Sequence, residues 1–596
     1  MKYSTAYQFI FVLLFSHTFL FSCVQNEKNE QSVADRPNVI LIMTDDQGIG
    51  DFGFMGNPYV KTTNLDKLAS ESLNLTNFYV SPVCAPTRAS LMTGRYSERT
   101  GIYDTYNGGA TMSENEITLA EILKENGYKT GIFGKWHLGD NYPYRPIDQG
   151  FDEAVVHRGG GMGQPGDVAN FFAKDSSYFD PVLFHNGEMK QYQGYCSDVF
   201  TNEAVEFIKN HNSTGKDQPF FVYLSFNAPH TPLQLPQKYY NMYKDVEFDI
   251  DAFAIKDPAV ESMNEKDIDA ARRVYGMVTN IDDNIGKMMD ALEAENLDEN
   301  TIIVFLTDNG PQHVRYKRGL RKQKSSVFGG GVRVPCLIRY PQKYPERQEI
   351  NLQISHIDLL PSILELCQLE QPGHNIDGRN FVNPKGNEFD ERTLFFEWGR
   401  GFLVKYRNFA ALKGDYKLVG NTEAESELSD FELFNVKSDP NELINIVEKE
   451  PAIASELKNN MDAWYDEIIS EKNNNRVFPA VIGSELENPV ILNRNDAKGT
   501  PVAWTQDNVL GYWDVKVLET ANYDVTFHFV DTVKAQGNLH LKLYPQNMLQ
   551  NISLDSDRLT LKDIELKQGE FKLEAYFRTN TGRYIFPLFV TVHKPG

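Results

Sequence analysis

Four stretches of the sequence share one pattern, a continuous and mainly apolar run that stops in polar or charged residues. The runs are Val39–Met43, Lys129–Phe133, Phe220–Phe226 and Thr301–Leu306. Strands buried on both faces, as in a parallel sheet covered by helices, have this unbroken apolar character. Amphipathic helical patterns lie between the runs, at Leu119–Asn126, Asp198–Asn210 and Ala270–Glu295. The alternation predicts an α/β fold, with a mainly parallel or mixed sheet sandwiched by helices.

Acidic and amide side chains follow the first and the last of these runs. Asp45 and Asp46 end the first, and Asp308 and Asn309 end the last. Ligands of such sheets bind beyond the carboxyl ends of the strands, where these side chains meet. Carboxylate and amide oxygens suit Ca²⁺ or Mg²⁺ rather than zinc. The alternative is that Asp and Asn simply favour turns after strands. Because both clusters occupy strand ends, the sequence favours a metal site.

The two middle runs end in basic residues and histidines. Lys135 and His137 follow the second run, and His230 follows the third. No Glu-x-x-His or Cys-x-x-Cys spacing supports zinc, so the histidines suit proton transfer better. Lys135 could be a solvated surface lysine, but its place at a strand end favours contact with an anion.

A lone cysteine precedes a proline in Cys84-Ala85-Pro86-Thr87-Arg88, and Gly94 closes the segment. Pro in the first turn and Gly just past the end are typical of a short helix. Cys84 would then stand at the helix entrance, where free N–H groups favour an anion, and Arg88 one turn later. A reactive cysteine and a buried structural cysteine are both open from these residues alone.

The densest basic run is Arg318–Lys324, followed by a glycine-rich segment. It suggests a clamp on an anionic substrate, with a solvated loop as the alternative. Two further loops are candidates for substrate selectivity, or are ordinary surface loops. They contribute the candidate substrate-binding residues His157, Arg158, His313 and Arg315.

Length and charge limit the remaining possibilities. A chain of 596 residues is too long for one core, so two or three domains are expected. A net charge of −23 argues against nucleic acid as a partner. The five cysteines show no paired spacing, so no disulfide scaffold is predicted, and three of them are assigned to the core. These three are Cys196, Cys336 and Cys367.

The N-terminus has the features of an export signal, with Lys2 before a short apolar stretch. Residues 1–23 are predicted to be the signal and 24–36 a linker. Leu20–Cys23 resembles the lipobox of bacterial lipoproteins, although Phe21 is a poor match, so an ordinary cleaved signal is the alternative. The expected location is the periplasm, or the outer membrane or cell surface as a lipoprotein. Contact with a membrane is expected only through lipid on Cys23.

The C-terminal part changes in character. Residues 376–475, with two short strands around Gly414 and a helix from Pro451 to Glu471, are predicted to form a small α+β subdomain after a catalytic domain at 37–375. From 476 to 596 period-two runs separated by turn residues, such as Gln536–Asn538, predict an all-β sandwich. This domain could bind glycans or pack against the catalytic domain, and packing is slightly favoured.

Taken together, the motifs resemble the signature of the type I sulfatases, of the alkaline phosphatase superfamily. They stand in the family's order over residues 37 to about 470: Thr44–Gln47, Cys84–Arg95, Gly134–Gly139, Ala228–His230 and Thr307–Gly310. The resemblance implies an alkaline phosphatase-like fold and a sulfuric ester hydrolase.

The resemblance also implies roles for individual residues. Cys84 would be converted by a formylglycine-generating maturation enzyme to 3-oxoalanine (Cα-formylglycine), whose hydrate is the nucleophile and a metal ligand. Ca²⁺, with Mg²⁺ as the alternative, would be held with it by Asp45, Asp46, Asp308 and Asn309. Arg88 would hold the hydrate. The sulfate would be lined by Lys135, His137, His230 and Lys324.

One position departs from the family pattern. Gly329 stands where an acidic residue usually precedes the paired glycines, which puts the orientation of Lys324 in doubt. The expected function is an exported sulfatase acting on a sulfated carbohydrate, such as ulvan, carrageenan, fucoidan or a glycosaminoglycan. The alternatives are a formylglycine phosphodiesterase or phosphonate hydrolase, and a non-catalytic glycan-binding surface lipoprotein.

Overall fold

The computed structural model describes residues 36–214, 218–401, 403–499 and 508–596. The predicted signal at 1–23 and nearly all of the predicted linker at 24–36 lie outside the described residues. Across these ranges, no helix is long and apolar enough to cross a membrane.

A mixed β-sheet forms the centre of the N-terminal part. Within the described residues it has ten strands, in the spatial order Gln348–Ile350, Leu73–Leu75, Cys336–Arg339, Thr301–Thr307, Asn38–Thr44, Phe220–Ser225, Lys129–Lys135, Glu153–His157, Val182–His185 and Glu188–Gln191. The strands from Thr301–Thr307 to Glu153–His157 are parallel, and each outer neighbour of this block is antiparallel to it. The predicted mixed α/β sheet is confirmed.

Helices cover both faces of this sheet. Val39, Leu41 and Met43 face one apolar cluster, while Ile40 and Ile42 face the other. Because both faces of this strand are buried, its sequence does not alternate between apolar and polar residues. The helices are Thr63–Ser70, Cys84–Thr93, Ser97–Thr100, Leu119–Glu125, Cys196–Ser213, Gln237–Tyr243, Pro258–Glu261, Glu265–Ala294, Gly329–Val332 and Leu359–Leu366. Short 3₁₀ turns occur at Gly53–Met55, Pro146–Asp148, Phe171–Ser176, Ile250–Ala252 and His356–Asp358. A small parallel pair joins Phe78–Tyr79 to Ile354–Ser355.

A smaller α+β unit follows. Its antiparallel sheet has the strand order Leu394–Glu397, Phe409–Lys413, Tyr416–Gly420 and Glu432–Asn435. Helix Pro451–Ile469 packs on the sheet through Leu457, Met461 and Trp464. The other helical segments are Glu388–Glu391, Leu428–Asp430 and Lys472–Asn475.

The C-terminal part is built from β-strands, as expected. They are Ala480–Ile482, Val490–Asn493, Lys498–Gly499, Gly511–Val517, Ala521–Leu543, Gln546–Leu566, Gly569–Thr579, Tyr584–Ile585 and Phe589–His593. The long strand Ala521–Leu543 pairs with Phe589–His593 in its first half and with Gly569–Thr579 in its second half. Its inward side chains from both halves, such as Phe527 and Leu541, belong to one apolar cluster.

One sequence-based expectation for this part is wrong. Gln536–Asn538 does not turn the chain, because it lies inside the strand Ala521–Leu543 and pairs with Asn551–Ser553. A Cβ on Gly537 would lie 2.2 Å from the carbonyl oxygen of Arg578. The glycine therefore allows two backbones to approach rather than marking a turn. The domain boundaries drawn from the sequence stay predictions.

Candidate active site

Cys84 opens the helix Cys84–Thr93, as the Pro and Gly positions predicted. Gly94 ends it in the left-handed conformation, with φ of 67°. The thiol is 3% exposed, and burial raises its pKa although Lys135 and Lys324 act in the opposite direction. A thiol held protonated in this way is a weak nucleophile, because the thiolate is the reactive form. The setting argues against a working thiolate at this position.

The acidic side chains from two neighbouring strands converge beside this helix. Thr44 and Thr307 are register partners on parallel strands, so the residues that follow them lie side by side. The backbone N–H of Asp46 donates to Asp308 Oδ1 at 3.1 Å, and Asn309 Nδ2 donates to Asp46 Oδ1 at 2.8 Å. Ligand atoms of Asp45, Cys84 and Asp308 lie within 4.8 Å of one another, as do those of Asp45, Asp46 and His230.

Three oxygens of this cluster are buried without a hydrogen-bond partner among the described residues. They are Asp45 Oδ1, Asp46 Oδ2 and Asn309 Oδ1. Burying polar atoms without partners costs free energy, so the oxygens need a ligand. Carboxylate and amide oxygens are what a hard divalent cation such as Ca²⁺ requires. The residues present therefore fit the metal that the sequence pattern predicted.

Two lysines, one fully buried and one partly exposed, contact these carboxylates. Lys135 Nζ is 2.6 Å from Asp45 Oδ2, and Lys324 Nζ is 2.5 Å from Asp46 Oδ1. Burial alone would raise the pKa of Asp45, but Lys135, His230 and Arg88 together hold it below its usual range. Lys324 comes from the basic run, so the structure brings this one residue of the predicted clamp to the carboxylates, while Arg321 pairs with Glu432 instead.

Arg88 ties the cluster to the sheet. Its Nη2 is 2.9 Å from Asp308 Oδ2, and its Nη1 donates to Ser225 Oγ at 2.5 Å and to the Lys135 carbonyl at 3.2 Å. Burial raises the pKa of Asp308 to about 7, with Asp45 adding to the rise and Arg88 opposing it. Ser225, at the end of its strand, is a partner that the sequence reasoning missed.

His137 and His230 hydrogen-bond to backbone carbonyls through opposite ring nitrogens, Nε2 in His137 and Nδ1 in His230. The Nε2 of His137 is 2.9 Å from the Thr105 carbonyl, while its buried Nδ1 has no partner among the described residues. His230 Nδ1 is 2.7 Å from the Thr231 carbonyl, and its Nε2 is 3.8 Å from Asp46 Oδ2. Burial lowers the pKa of both rings, and Lys135 contributes to the effect. Both histidines are therefore neutral near pH 7, and His137 Nδ1 can accept a proton.

His157 also lies next to this group. It is the register partner of Lys135 on the adjacent strand, and its side chain is almost fully buried. Neither ring nitrogen has a hydrogen-bond partner in the described ranges. Burial, followed by the charge of Lys135, lowers its pKa. Its role as a substrate contact stays a prediction.

The other candidates for substrate binding differ in placement. His313 is partly exposed, and burial with Arg315 nearby lowers its pKa to about 4. Arg315 is 1% exposed and donates to both carboxylate oxygens of Asp51 and to the carbonyls of Asp46 and His313. These contacts give a substrate role for Arg315 no support, and that role stays a prediction. Arg315 anchors the loop that carries Asp46.

Arg158 is likewise engaged by other residues of the chain, and its substrate role stays a prediction. Its guanidinium lies 3.8 Å from the centroid of the Phe184 ring and donates to Asp140 O and to Glu487 Oε1. The side chain is 6% exposed. It joins the catalytic part to the C-terminal β part.

Gly329 stands where the family pattern has an acidic residue, and a carboxylate from elsewhere in the chain contacts it. The N–H of Gly329 donates to Glu442 Oε2 at 2.6 Å, and Lys417 Nζ is 2.6 Å from Glu442 Oε1. A carboxylate from the α+β unit thus reaches the segment behind Lys324. No local signal in the sequence marks Glu442, since it lies more than a hundred residues from Gly329.

Gly160 lies so close to the His137 ring that we expect a larger side chain at this position to displace the ring. A Cβ at this position would lie 2.8 Å from His137 Nε2 and 2.9 Å from its Cε1. We expect Gly160→Ala to lower kcat on an aryl sulfate about 10-fold, since small displacements of a reacting group are costly. Gly161→Ala is the matched control, because its Cβ would meet only the end of the flexible Gln164 side chain. Equal kcat values for the two variants would contradict this placement.

An α/β sheet with an oxygen cluster and buried cations at its carboxyl edge defines a hydrolase of the alkaline phosphatase-like fold. Residues 37–369 match the sulfatase family model, and residues 322–467 match the model described as N-sulphoglucosamine sulphohydrolase, C-terminal. The first match covers more than half of the chain, so the chain belongs to the sulfatase family and is a sulfuric ester hydrolase.

Relatives and solved structures agree with this assignment. The ulvan-active sulfatase of Formosa agariphila is 30% identical over 477 residues, which cover 77% of this chain and 86% of the relative. An uncharacterised sulfatase of Schizosaccharomyces pombe is 28% identical over 531 residues, covering 72% and 93%. The crystal structure of Ps i-CgsB in complex with k-i-k-neocarrahexaose is 29% identical, with a TM-score of 0.62, covering 74% of this chain and 94% of that one.

Proposed function

We propose that this protein is an exported sulfatase that hydrolyses sulfate esters of a sulfated carbohydrate, with Cys84 converted to formylglycine and Ca²⁺ in the oxygen cluster. The observation that carries the proposal is the arrangement around Cys84. Oxygens of Asp45, Asp46 and Asn309 have no hydrogen-bond partner among the described residues, and Lys135 and Lys324 contact the same two carboxylates. Such a site attracts and neutralises a sulfate group.

When present, the formylglycine hydrate supplies a nucleophilic hydroxyl, and the metal supplies positive charge against the sulfate oxygens. The cation would be held by Asp45, Asp46, Asp308 and Asn309. The chain's own residues do the rest. Arg88, fixed by Asp308 and Ser225, orients residue 84, and Lys135 and Lys324 offset charge on the sulfate.

Proton transfer is divided between two sides of the site. His137 donates Nε2–H to the Thr105 carbonyl, so its free Nδ1 is the atom that accepts a proton from a hydroxyl. His230 donates Nδ1–H to Thr231, which leaves its Nε2 without a proton. Lys324 carries protons at neutral pH, because Asp46 raises its pKa despite burial. Of the two donors expected from the sequence, this favours Lys324 over His230 as the donor to the departing alcohol.

A sulfated sugar is the substrate class that the relatives support. One relative is an ulvan-active sulfatase, and Ps i-CgsB was crystallised in complex with k-i-k-neocarrahexaose. Export and lipid attachment rest on the sequence of residues 1–23. The proposed partners are the sulfated carbohydrate and a maturation enzyme for Cys84, with no nucleic acid.

Turnover of an aryl sulfate and of an aryl phosphodiester by the same preparation tests the reaction class. We expect faster release of sulfate, and faster cleavage of the phosphodiester would overturn the proposal in favour of a phosphodiesterase. A panel of defined sulfated oligosaccharides then identifies the sugar, with no desulfation of any of them counting against a carbohydrate substrate. The mass of the peptide containing residues 84–95 shows whether Cys84 is converted.

A further inference from the structure

His137 is held in place by two backbone carbonyls, each from a different loop. Its Nε2 is 2.9 Å from the carbonyl of Thr105, and its backbone N–H donates to the carbonyl of Arg158 at 2.9 Å. His137 itself has φ of 61°, an uncommon conformation for a residue with a side chain. The position of the free Nδ1 therefore depends on where the two loops lie.

The first loop is attached to the C-terminal β part. The backbone N–H of Asn107 donates to the carbonyl of Asn495 at 2.6 Å, and that of Gly108 donates to the same oxygen at 3.4 Å. A Cβ on Gly108 would lie 2.7 Å from the Lys498 side chain. The segment that presents the Thr105 carbonyl is thus packed directly against residues 495–498.

The second loop is attached through a buried ion pair. Arg158 Nη1 is 3.1 Å from Glu487 Oε1, and the other oxygen of this carboxylate accepts the Tyr142 N–H at 2.7 Å. Arg158 is 6% exposed and Glu487 is 8% exposed. Removing one member of a buried pair leaves the other charge without a partner, so the pair fixes both segments strongly.

Two further contacts hold the chain between these loops. Asn493 Nδ2 donates to Asp140 Oδ2 at 2.7 Å, and Asn141 Nδ2 donates to the Ile491 carbonyl at 2.9 Å. Residues 487–498 therefore contact both loops that hold His137 and the chain between them. Both family models end before this stretch, at residues 369 and 467, so the contacts are an addition to the part of the chain that they match.

We propose that residues 487–498 of the C-terminal β part position His137 for catalysis, with Glu487 as the principal positioning residue. Glu487 acts through Arg158, whose carbonyl fixes the backbone of His137, while Asn495 fixes the loop that orients the ring. The C-terminal β part then contributes to catalysis, in addition to packing against the catalytic part. This inference rests on the proposed role of His137 as proton acceptor.

Glu487→Ala in the full chain tests the proposal, with Glu485→Ala as the matched control because Glu485 is exposed on the same segment. We expect kcat on an aryl sulfate to fall about 10- to 100-fold in Glu487→Ala, with KM changed less than about 3-fold, since the damage is to a reacting group and not to binding. Hydrogen–deuterium exchange should rise in residues 103–109 and 158–166. Glu487→Gln, which keeps an acceptor for Tyr142, should recover part of kcat.

The remaining outcomes would refute either this inference or the proposed function. Equal kcat in Glu487→Ala and Glu485→Ala, or equal exchange in the two loops, would overturn the inference. If Glu487→Ala does not fold, the near-isosteric Glu487→Gln carries the test, and wild-type kcat in that variant together with unchanged loop exchange would refute it. A wild-type protein without sulfatase activity would refute the proposed function, whereas an active one with an unaffected Glu487→Ala would refute this inference alone.

Discussion

Cys84→Ala is expected to reduce sulfate release to the background rate, a loss of about 10⁴-fold or more, as when other covalent nucleophiles are removed. Alanine has no sulfur and cannot be converted to formylglycine, so no hydrate forms at the entrance of the helix. The helix itself should persist, because alanine has the highest helix propensity. Steady-state turnover of an aryl sulfate measures the loss, and circular dichroism checks the fold.

Cys367→Ala is the matched control for this experiment. Cys367 is also a buried, unpaired cysteine of the catalytic part, but it belongs to an apolar cluster away from the carboxylates. We expect it to keep its turnover and to lose a little thermal stability, because a small cavity forms. Retained turnover in Cys84→Ala would refute the formylglycine mechanism.

Asp45→Asn is expected to have the next largest effect, on metal binding and activity together. Asp45 offers a buried oxygen that has no hydrogen-bond partner in the part of the chain that the structure describes, and its other oxygen lies 2.6 Å from Lys135 Nζ. Its replacement removes a negative charge that offsets nearby cations, so a divalent cation should bind far more weakly. We expect activity to fall by about 10³-fold, a magnitude typical of lost electrostatic stabilisation of charge in a transition state.

Thermal unfolding provides the independent measurement. Saturation with Ca²⁺ at about 100 times its Kd stabilises a folded protein by about 2.7 kcal/mol, so the wild-type Tm should rise with added Ca²⁺. The Tm of Asp45→Asn should not respond over the same range. Asp245→Asn, at an exposed position, should behave like the wild type. A Ca²⁺-dependent rise in Tm that survives in Asp45→Asn would place the metal elsewhere.

The central fold could be predicted because its strands are buried on both faces. Runs such as Val39–Met43 need no periodicity to be recognised, and the structure extends this one by one residue at each end, to Asn38–Thr44. The long helix begins at Glu265 rather than Ala270, since its first turn is capped by Asn264 and carries no apolar stripe. Caps are local and polar, so an apolar pattern does not detect them.

The C-terminal β part was harder to predict for a physical reason. Period-two alternation identifies strand residues, but it does not determine where a strand stops when both flanks are polar and paired. Gly537 therefore suggested a turn, although it continues the strand Ala521–Leu543 opposite Ile552. Pairing between distant segments decides such cases, and this information is not present in a local window.

The candidate site likewise contains some residues that the sequence could locate and others that it could not. Side chains at the ends of buried strands, such as Asp45 and Asp308, were placed by the geometry of parallel sheets. Arg158 and Arg315 were named as candidates in two loops, but their partners, Glu487 and Asp51, are far away in the sequence and could not be read from it. Thr105, whose carbonyl orients His137, acts through its backbone, so its residue type gives no signal.

The buried ion pairs at the carboxyl edge of the sheet have an electrostatic consequence. Arg88, Lys135 and Lys324 face Asp45, Asp46 and Asp308, and Asp308, whose pKa is raised to about 7, is only partly ionised at neutral pH, so the side chains alone carry little net charge. The chain as a whole carries −23 and repels a polyanion at long range. A bound divalent cation would change this balance by two positive charges at the point where a sulfate group enters. If the proposed Ca²⁺ binds there, it would supply net positive charge that the side chains alone lack, so the charge balance favours loading the metal before the sulfate ester.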